Sequence, residues 1–247
     1  MRTSDPPLTA RGALRWAVVE PLLAGLHPAT VLEFGCGQGA VGARIARHAR
    51  YTGVEPDQES WEVAAARIRP RGGTVLHGDA GVLPWATKYD VVCAFEVLEH
   101  IDDDEGALRS WLKHLRNGGH LVVSVPEGPD RFGPSDEQVG HFRRYDEAGL
   151  TALLTTAGLE VAQVVHYGWP LGYVLERVSN RAATRAQAAE QVQGSAGSGR
   201  WLQPGAFTGA ALRVGVTPFA AIQGRRTDRG TGLVAVGRFS AGGGSAG

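Results

Sequence analysis

Apolar residues recur at helical spacing through ARGALRWAVVEPLLAGL, residues 10–26, and the run stops near Gly25. TVLEF (30–34) then predicts a strand and QGAVGARIARHA (38–49) a helix. YTGVE (51–55) reads as a short strand, and DQESWEVAAARI (57–68) as a helix with Asp57 as its N-cap. GTVLHGD (73–79) predicts a strand ending in a turn. YDVVCAFEVLEHI (89–101) starts as a buried strand and turns helical near its end. EGALRSWLKHLRNGG (105–119) predicts an amphipathic helix closed by Asn-Gly-Gly, followed by the strand HLVVSVP (120–126).

Beyond residue 126 the pattern loosens into a long Pro/Gly-rich loop, a kind of segment that is usually functional or disordered. A helix (147–158), a strand (159–167) and a long helix (169–191) follow, then a Gly/Ser-rich break (192–199). Residues 206–224 are apolar and partly helical around Pro218, TGLVAVGRF (231–239) is a last strand, and 241–247 read as a disordered tail. Alternating strands and helices with short links imply an α/β fold with a parallel sheet covered on both faces. Ligands in such sheets sit at the carboxyl ends of the strands, where this chain's polar motifs fall.

Composition changes this picture little. Hydrophobic content of 43 % and charged content of 20 % suit a globular protein with a real core. A formal net charge of zero argues against bulk nucleic acid or an anionic membrane as partner. Cys36 and Cys93 fall in or beside buried strands and read as small buried thiols. With neither a signal-peptide pattern nor an apolar run of membrane-spanning length, the expectation is a cytoplasmic protein.

Chemistry enters at VLEFGCGQGAVG, residues 31–42. A strand that runs into Gly35, Gly37 and Gly39 and then a helix lets a ligand approach the main chain. Gly35, Gly37 and Ala40 satisfy the loose G-x-G-x-x-G/A form, so a dinucleotide site or a plain tight turn is open on that motif alone. Three acids narrow the choice. Glu33 precedes the glycines, Glu55 ends the second strand and could hold a ribose diol, and Asp79 ends the third strand where an adenine amino group could donate. A ligand with ammonium, ribose and adenine but no pyrophosphate gives each acid a task, and that ligand is S-adenosylmethionine.

VLEFGCGQG, YTGVEPD, HGDA, YDVVCAFEVLEHI and LRNGGHLVVSVP together resemble the class I S-adenosylmethionine-dependent methyltransferases, over about residues 30–167 plus the last strand. The resemblance implies a Rossmann-like seven-stranded sheet, mostly parallel, with TGLVAVGRF as an antiparallel last strand beside the fifth. It implies Glu33, Gly35, Gly37 and Gly39 near the methionine part, Glu55 with Pro56 at the ribose, and Asp79 with Ala80 at the adenine. It divides the chain into a helical cap (1–29), a cofactor-binding core (30–168), a helical lid insertion (169–229), the final core strand (230–240) and the tail.

EVLEH supplies Glu96, Glu99 and His100, which share one face if a helical turn starts there. Acids in a first helical turn are also favoured by its dipole, so a merely structural role stands beside a functional one. The functional reading is a divalent-metal site for Mg²⁺, Mn²⁺, Fe²⁺ or Zn²⁺, with His141 of the long loop as fourth ligand and Glu96 also facing the cofactor. This resembles the Glu-x-x-Glu-His motif of the ubiquinone-pathway O-methyltransferases and the small-RNA 2′-O-methyltransferases, with a looser match at His141. Without metal, His100 or His141 is the candidate catalytic base. Arg143, Arg144 and Tyr145 are placed to close over the acceptor, or else form a solvated basic face.

These residues point to O-methylation of a hydroxyl on a small-molecule acceptor such as a sugar, a phenol or another natural product. The alternatives are a metal-independent N- or C-methyltransferase, a non-catalytic S-adenosylmethionine-binding protein and, further off, a nicotinamide oxidoreductase. Residues 169–229 are expected to roof the acceptor pocket with the N-terminal helix, with a homodimer surface as the competing reading.

Overall fold

A computed structural model describes residues 5–193, 216, 218–223 and 228–240. Helix α1 spans Ala10–Leu26 and is capped by Thr9, whose side chain accepts from the Gly12 amide. The strands are β1 (Thr30–Phe34), β2 (Arg50–Glu55), β3 (Thr74–His77), β4 (Tyr89–Phe95), β5 (Leu115–Pro126), β6 (Leu159–Tyr167) and β7 (Gly232–Phe239). The helices after α1 are α2 (Gly42–Ile45), α3 (Gln58–Ile68), α4 (Asp104–Leu112), α5 (Pro134–Val139), α6 (Glu147–Thr156) and α7 (Leu171–Gln193). The seven strands form one sheet in the order β3-β2-β1-β4-β5-β7-β6.

β1 pairs in parallel with β2 and β4, β2 with β3, and β4 with β5. β7 runs antiparallel to both β5 and β6. The expected mostly parallel sheet with an inserted antiparallel last strand is therefore present. Strand alternation divides the core. Val31, Val91, Cys93 and Phe95 pack with residues of α1 and α3, while Leu32, Phe34, Val92 and Ala94 pack with residues of α4 and α6. Both cysteines are buried and free. Among the described residues no helix is long and apolar enough to cross a membrane.

Four local readings need correction. The helix expected over 38–49 reduces to α2, four residues between turns. Gly39, inside that span, takes φ 74°, which an α-helix cannot accommodate, after Gly35 and Gly37 at 64° and 52° in the preceding turn. The helix expected over 105–119 ends at Leu112, and Asn117-Gly118-Gly119 lies within β5 instead. There Leu115 pairs with Tyr89 and His120 with Val91, so the intervening residues bulge out of the ladder. The long loop after β5 contains a 3-10 turn at Pro129–Arg131 and helix α5. Pro134 at the helix start and Asp136 and Glu137 in its first turn were the local signal for α5.

The fourth concerns the end of β4. Glu96 takes φ 59° and a 3-10 turn covers only Leu98–His100, so Glu96, Glu99 and His100 do not share one helical face. Elsewhere α7 begins the segment 169–229, whose later part, like most of 206–224 and all of 241–247, lies largely or wholly outside the described residues.

Candidate active site

The Gly-rich turn follows β1 and is tied to β2 by the Gly35 amide, which donates to Val54 O at 2.9 Å. Its glycines have different jobs. A Cβ on Gly39 would lie 2.9 Å from the Ala64 backbone and 2.8 Å from Ile68 Cδ1, so this glycine lets α3 pack closely. A Cβ on Gly37 would meet nothing within 4 Å, which leaves open space over the turn where a ligand can touch the main chain.

Glu55, at the end of β2, accepts from the Gly37 amide at 2.7 Å and the Asp57 amide at 3.0 Å. Burial pushes its pKa up, and the two amides work in the other direction. Each oxygen keeps further acceptor capacity, so the carboxylate joins the Gly turn while remaining able to accept from a diol. Pro56 is exposed beside it, and its carbonyl lies 3.0 Å from Nε2 of His77. Asp79 caps the turn Ala80–Val82 by accepting from the Gly81 amide at 2.8 Å, and stays exposed beside half-buried Ala80.

Glu33 lies in β1 just before the glycine turn. It is 2 % exposed and its Oε2 accepts from the Tyr51 hydroxyl at 2.5 Å. Burial pushes its pKa up to about 7, against the Tyr51 hydrogen bond and the nearby Arg15 charge. The carboxyl is thus paired with Tyr51 near the end of β1, one residue before Phe34 and the glycine turn.

At the mouth of β4, Glu99, His100 and His141 bring ligand atoms to within 4.8 Å of one another. The Phe142 amide donates to Glu99 O at 2.7 Å and so holds the His141 segment against the Leu98–His100 turn. Glu99 is fully buried, and neither of its carboxylate oxygens has a hydrogen-bond partner. Burial and then the neighbouring Glu96 charge push its pKa well above the carboxylate range. The His100 and His141 rings meet edge to face, 4.5 Å between centroids. Desolvation and then His141 lower the His100 pKa.

Glu96 is not part of this group. Its Oε1 accepts from Ser124 Oγ at 2.9 Å and the Tyr167 hydroxyl at 3.0 Å, with Arg15 of α1 3.7 Å away. Asp136 of α5, absent from the sequence reading, takes its place near the cluster. Its Oδ1 lies 2.8 Å from His141 Nδ1, and Arg144 forks onto both its oxygens at 2.9 and 2.8 Å. Burial works to raise the Asp136 pKa, but the bonds from His141 and Arg144 outweigh it and hold the carboxyl well below its ordinary range. Gly140, in the left-handed region, ends α5 and turns the chain back, so the His141 amide donates to Asp136 O at 2.9 Å. A pairing five residues apart across a helix end has no signature in the hydrophobic pattern.

Arg143, Arg144 and Tyr145 are all committed to acids. Arg143 pairs with Asp104 at 2.8 Å, Tyr145 donates to Asp104 at 2.8 Å, and Arg144 also reaches Glu176 of α7 at 3.0 Å. With only 4 % of its side chain exposed, Arg144 is not part of a solvated face.

A cavity of about 40 Å³ lies beside the cluster, bordered by Arg11, Leu14, Glu96, His141, Tyr167 and Glu176. That volume suits a water. A roomier apolar cavity of about 510 Å³, lined by Trp16, Leu23, Val31 and Ile45, borders α1 and α2 and includes none of the candidate cofactor, metal or catalytic residues.

A sheet of this order, with a glycine turn after β1 and an acid ending β2, defines a class I S-adenosylmethionine-dependent methyltransferase architecture. A family model described as Methyltransferase domain matches residues 11–164, and the chain belongs to that family. It is 37 % identical over 136 residues to a Mycolicibacterium smegmatis protein named a "probable S-adenosylmethionine-dependent methyltransferase", covering 53 % of this chain and 52 % of that one. It is 30 % identical over 124 residues to a ubiquinone biosynthesis O-methyltransferase of Nitrosomonas europaea, covering 48 % of this chain and 53 % of that one. The chain thus spans about half the length of these curated relatives. The solved structure of the cyclase SpnF superposes with a TM-score of 0.61 at 21 % identity, over 98 % of this chain and 86 % of that one, a likeness of fold alone.

Proposed function

We propose that this protein transfers the methyl group of S-adenosylmethionine to a hydroxyl oxygen of a small molecule, at a site built around Glu99, His100 and His141. The observation that carries the reading is Glu99. A fully buried carboxylate with no hydrogen-bond partner, beside two imidazoles, costs stability unless something compensates it. A divalent cation is the compensation this donor set fits, with one carboxylate and two imidazoles suiting Mn²⁺, Fe²⁺ or Zn²⁺ better than Mg²⁺. When bound, the ion would supply a Lewis acid that lowers the pKa of an acceptor hydroxyl.

The chain's own residues do the rest. The glycine turn and Glu55 hold the cofactor, and Gly37 leaves its main chain open to it. Asp136 accepts from Nδ1 of His141 and thereby turns Nε2 toward Glu99. The sulfonium already activates the methyl group, so alignment and proton removal remain. The S–CH₃ bond breaks as the O–CH₃ bond forms and S-adenosylhomocysteine leaves; the hydroxyl proton passes to water where the two imidazoles hold an ion, and to His100 or His141 where they do not. The O-methyltransferase name of the Nitrosomonas relative supports oxygen as the acceptor atom.

The engagement of Glu96 with Ser124, Tyr167 and Arg15 favours a second reading, a metal-independent N- or C-methyltransferase. Calorimetric titration of divalent metals into chelator-treated protein saturated with S-adenosylhomocysteine separates the two. Stoichiometric binding that weakens in His141→Ala supports the first. Absent binding, or activity and chelator sensitivity both unchanged in Glu99→Ala, rejects it.

A further inference from the structure

We propose that Glu176 of helix α7 is a positioning residue that fixes the orientation and tautomer of His141 through Arg144 and Asp136. The inference rests on the reading of His141 as a working imidazole of the site. The chain of contacts is continuous and buried: Asp136 is 2 % exposed, Arg144 7 % and Glu176 8 %. Asp136 has its acceptor positions filled. Oδ1 takes His141 Nδ1 and Arg144 Nε, while Oδ2 takes Arg144 Nη2 and the Gly133 amide, all at 2.8–2.9 Å. A carboxylate has about four lone-pair sites, so this one has no alternative arrangement. With three N–H donors from Arg144 and Gly133 already on its oxygens, the Asp136 carboxyl is placed as an acceptor, so a neutral His141 carries its proton on Nδ1 and leaves Nε2 bare toward Glu99.

That arrangement depends on the Arg144 fork, and the fork is held from its far side by α7. Arg144 Nη1 donates to Glu176 Oε2 at 3.0 Å and to the Glu127 carbonyl at 3.3 Å. Among the described residues only Glu176 brings a charge to Nη1, and it comes from the segment between β6 and β7 rather than from the core. Arg131 lies 3.7 Å from the other Glu176 oxygen and over the Tyr173 ring at 5.0 Å, which keeps Glu176 in place. The seating of α7 on the loop after β5 is thereby coupled to the direction in which His141 points.

Helix α7 touches the same loop a second time, through Asn180, whose Oδ1 accepts from the Ser135 amide at 3.2 Å. That contact is outside the chain to His141 and provides the control. The experiment is two-bond ¹H–¹⁵N NMR of the histidine rings in the metal-free protein, in mildly alkaline buffer. Wild-type His141 is expected as a single Nδ1–H tautomer. Glu176→Gln is expected to lose that single state, Glu176→Asp to recover part of it, and Asn180→Ala to keep it. Where divalent ions bind, Glu176→Gln should weaken binding by about 10-fold.

A wild-type tautomer ratio in Glu176→Gln overturns the proposal, as does an equal disturbance in Asn180→Ala, which would reduce the effect to loose docking of α7. If Glu176→Gln does not fold, Glu176→Asp, which keeps the charge and draws it back from Arg144, answers the same question: a partial loss of the single tautomer supports the proposal and a wild-type ratio overturns it. Should the wild-type protein bind no ion, the metal reading fails while the tautomer measurement still decides this one.

Discussion

The Nε2 atom of His141 stands 4.0 Å from Oε1 of Glu99, a carboxylate with no hydrogen-bond partner and no exposure to water. This gap is too long for a hydrogen bond, and the metal-free fold gains nothing from the carboxylate that occupies it. Replacing Glu99 with leucine should therefore stabilise the metal-free protein by about 1–3 kcal/mol and abolish its response to divalent ions. Urea denaturation with and without chelator measures both. Unchanged stability together with an unchanged ion response would rule out this account of Glu99.

The two open questions in the glycine turn separate by mutation. Gly39→Ala forces a Cβ against the Ala64 backbone at φ 74°, and should destabilise the fold by about 1–3 kcal/mol. Gly37→Ala meets no neighbour and should cost only about 1 kcal/mol of backbone strain. Its effect belongs instead to the ligand, with S-adenosylhomocysteine affinity falling at least 10-fold by calorimetry on the order of one lost close contact. Equal affinities for wild type and Gly37→Ala would place the cofactor elsewhere.

Glu55→Ala leaves the Gly37 and Asp57 amides without their acceptor and removes the acid proposed for the ribose. Stability should fall by about 1–3 kcal/mol, and S-adenosylhomocysteine binding should weaken further than in Glu55→Gln, which retains one acceptor oxygen. Equal binding in the two variants would argue that Glu55 only shapes the turn.

Glu33 gives the protein a pH dependence of defined sign. Its pKa rises from 4.5 to about 7 on folding, so the folded state holds the proton that the unfolded chain releases. The stabilisation is complete below 4.5 and is lost as pH rises through about 7. Glu33→Gln cannot ionise and should lack this slope, opening a difference on the order of 3 kcal/mol at the alkaline end. Parallel wild-type and Glu33→Gln denaturation curves at every pH would contradict the assignment.

The sequence by itself determined the sheet and the position of the chemistry. Apolar runs that end in Glu55, in His77-Gly78-Asp79 and in Phe95-Glu96 mark strand ends through side-chain alternation and turn residues, which are local properties. The same holds for Asp57, which caps α3 by accepting from the Ser60 amide at 2.9 Å as its spacing predicted. It also grouped Glu96, Glu99, His100 and His141, of which Glu99, His100 and His141 bring ligand atoms within 4.8 Å of one another. Tertiary structure alone decided the membership around them. Glu96 follows Phe95 with φ 59°, and that single left-handed residue sends its carboxylate to Ser124 and Tyr167. Asp136 reaches His141 because Gly140 reverses the chain at the end of α5, and Glu176 reaches Arg144 because α7 packs on that loop. Such pairings depend on backbone direction and on which elements meet in space, and neither quantity is written in the periodicity of a single segment.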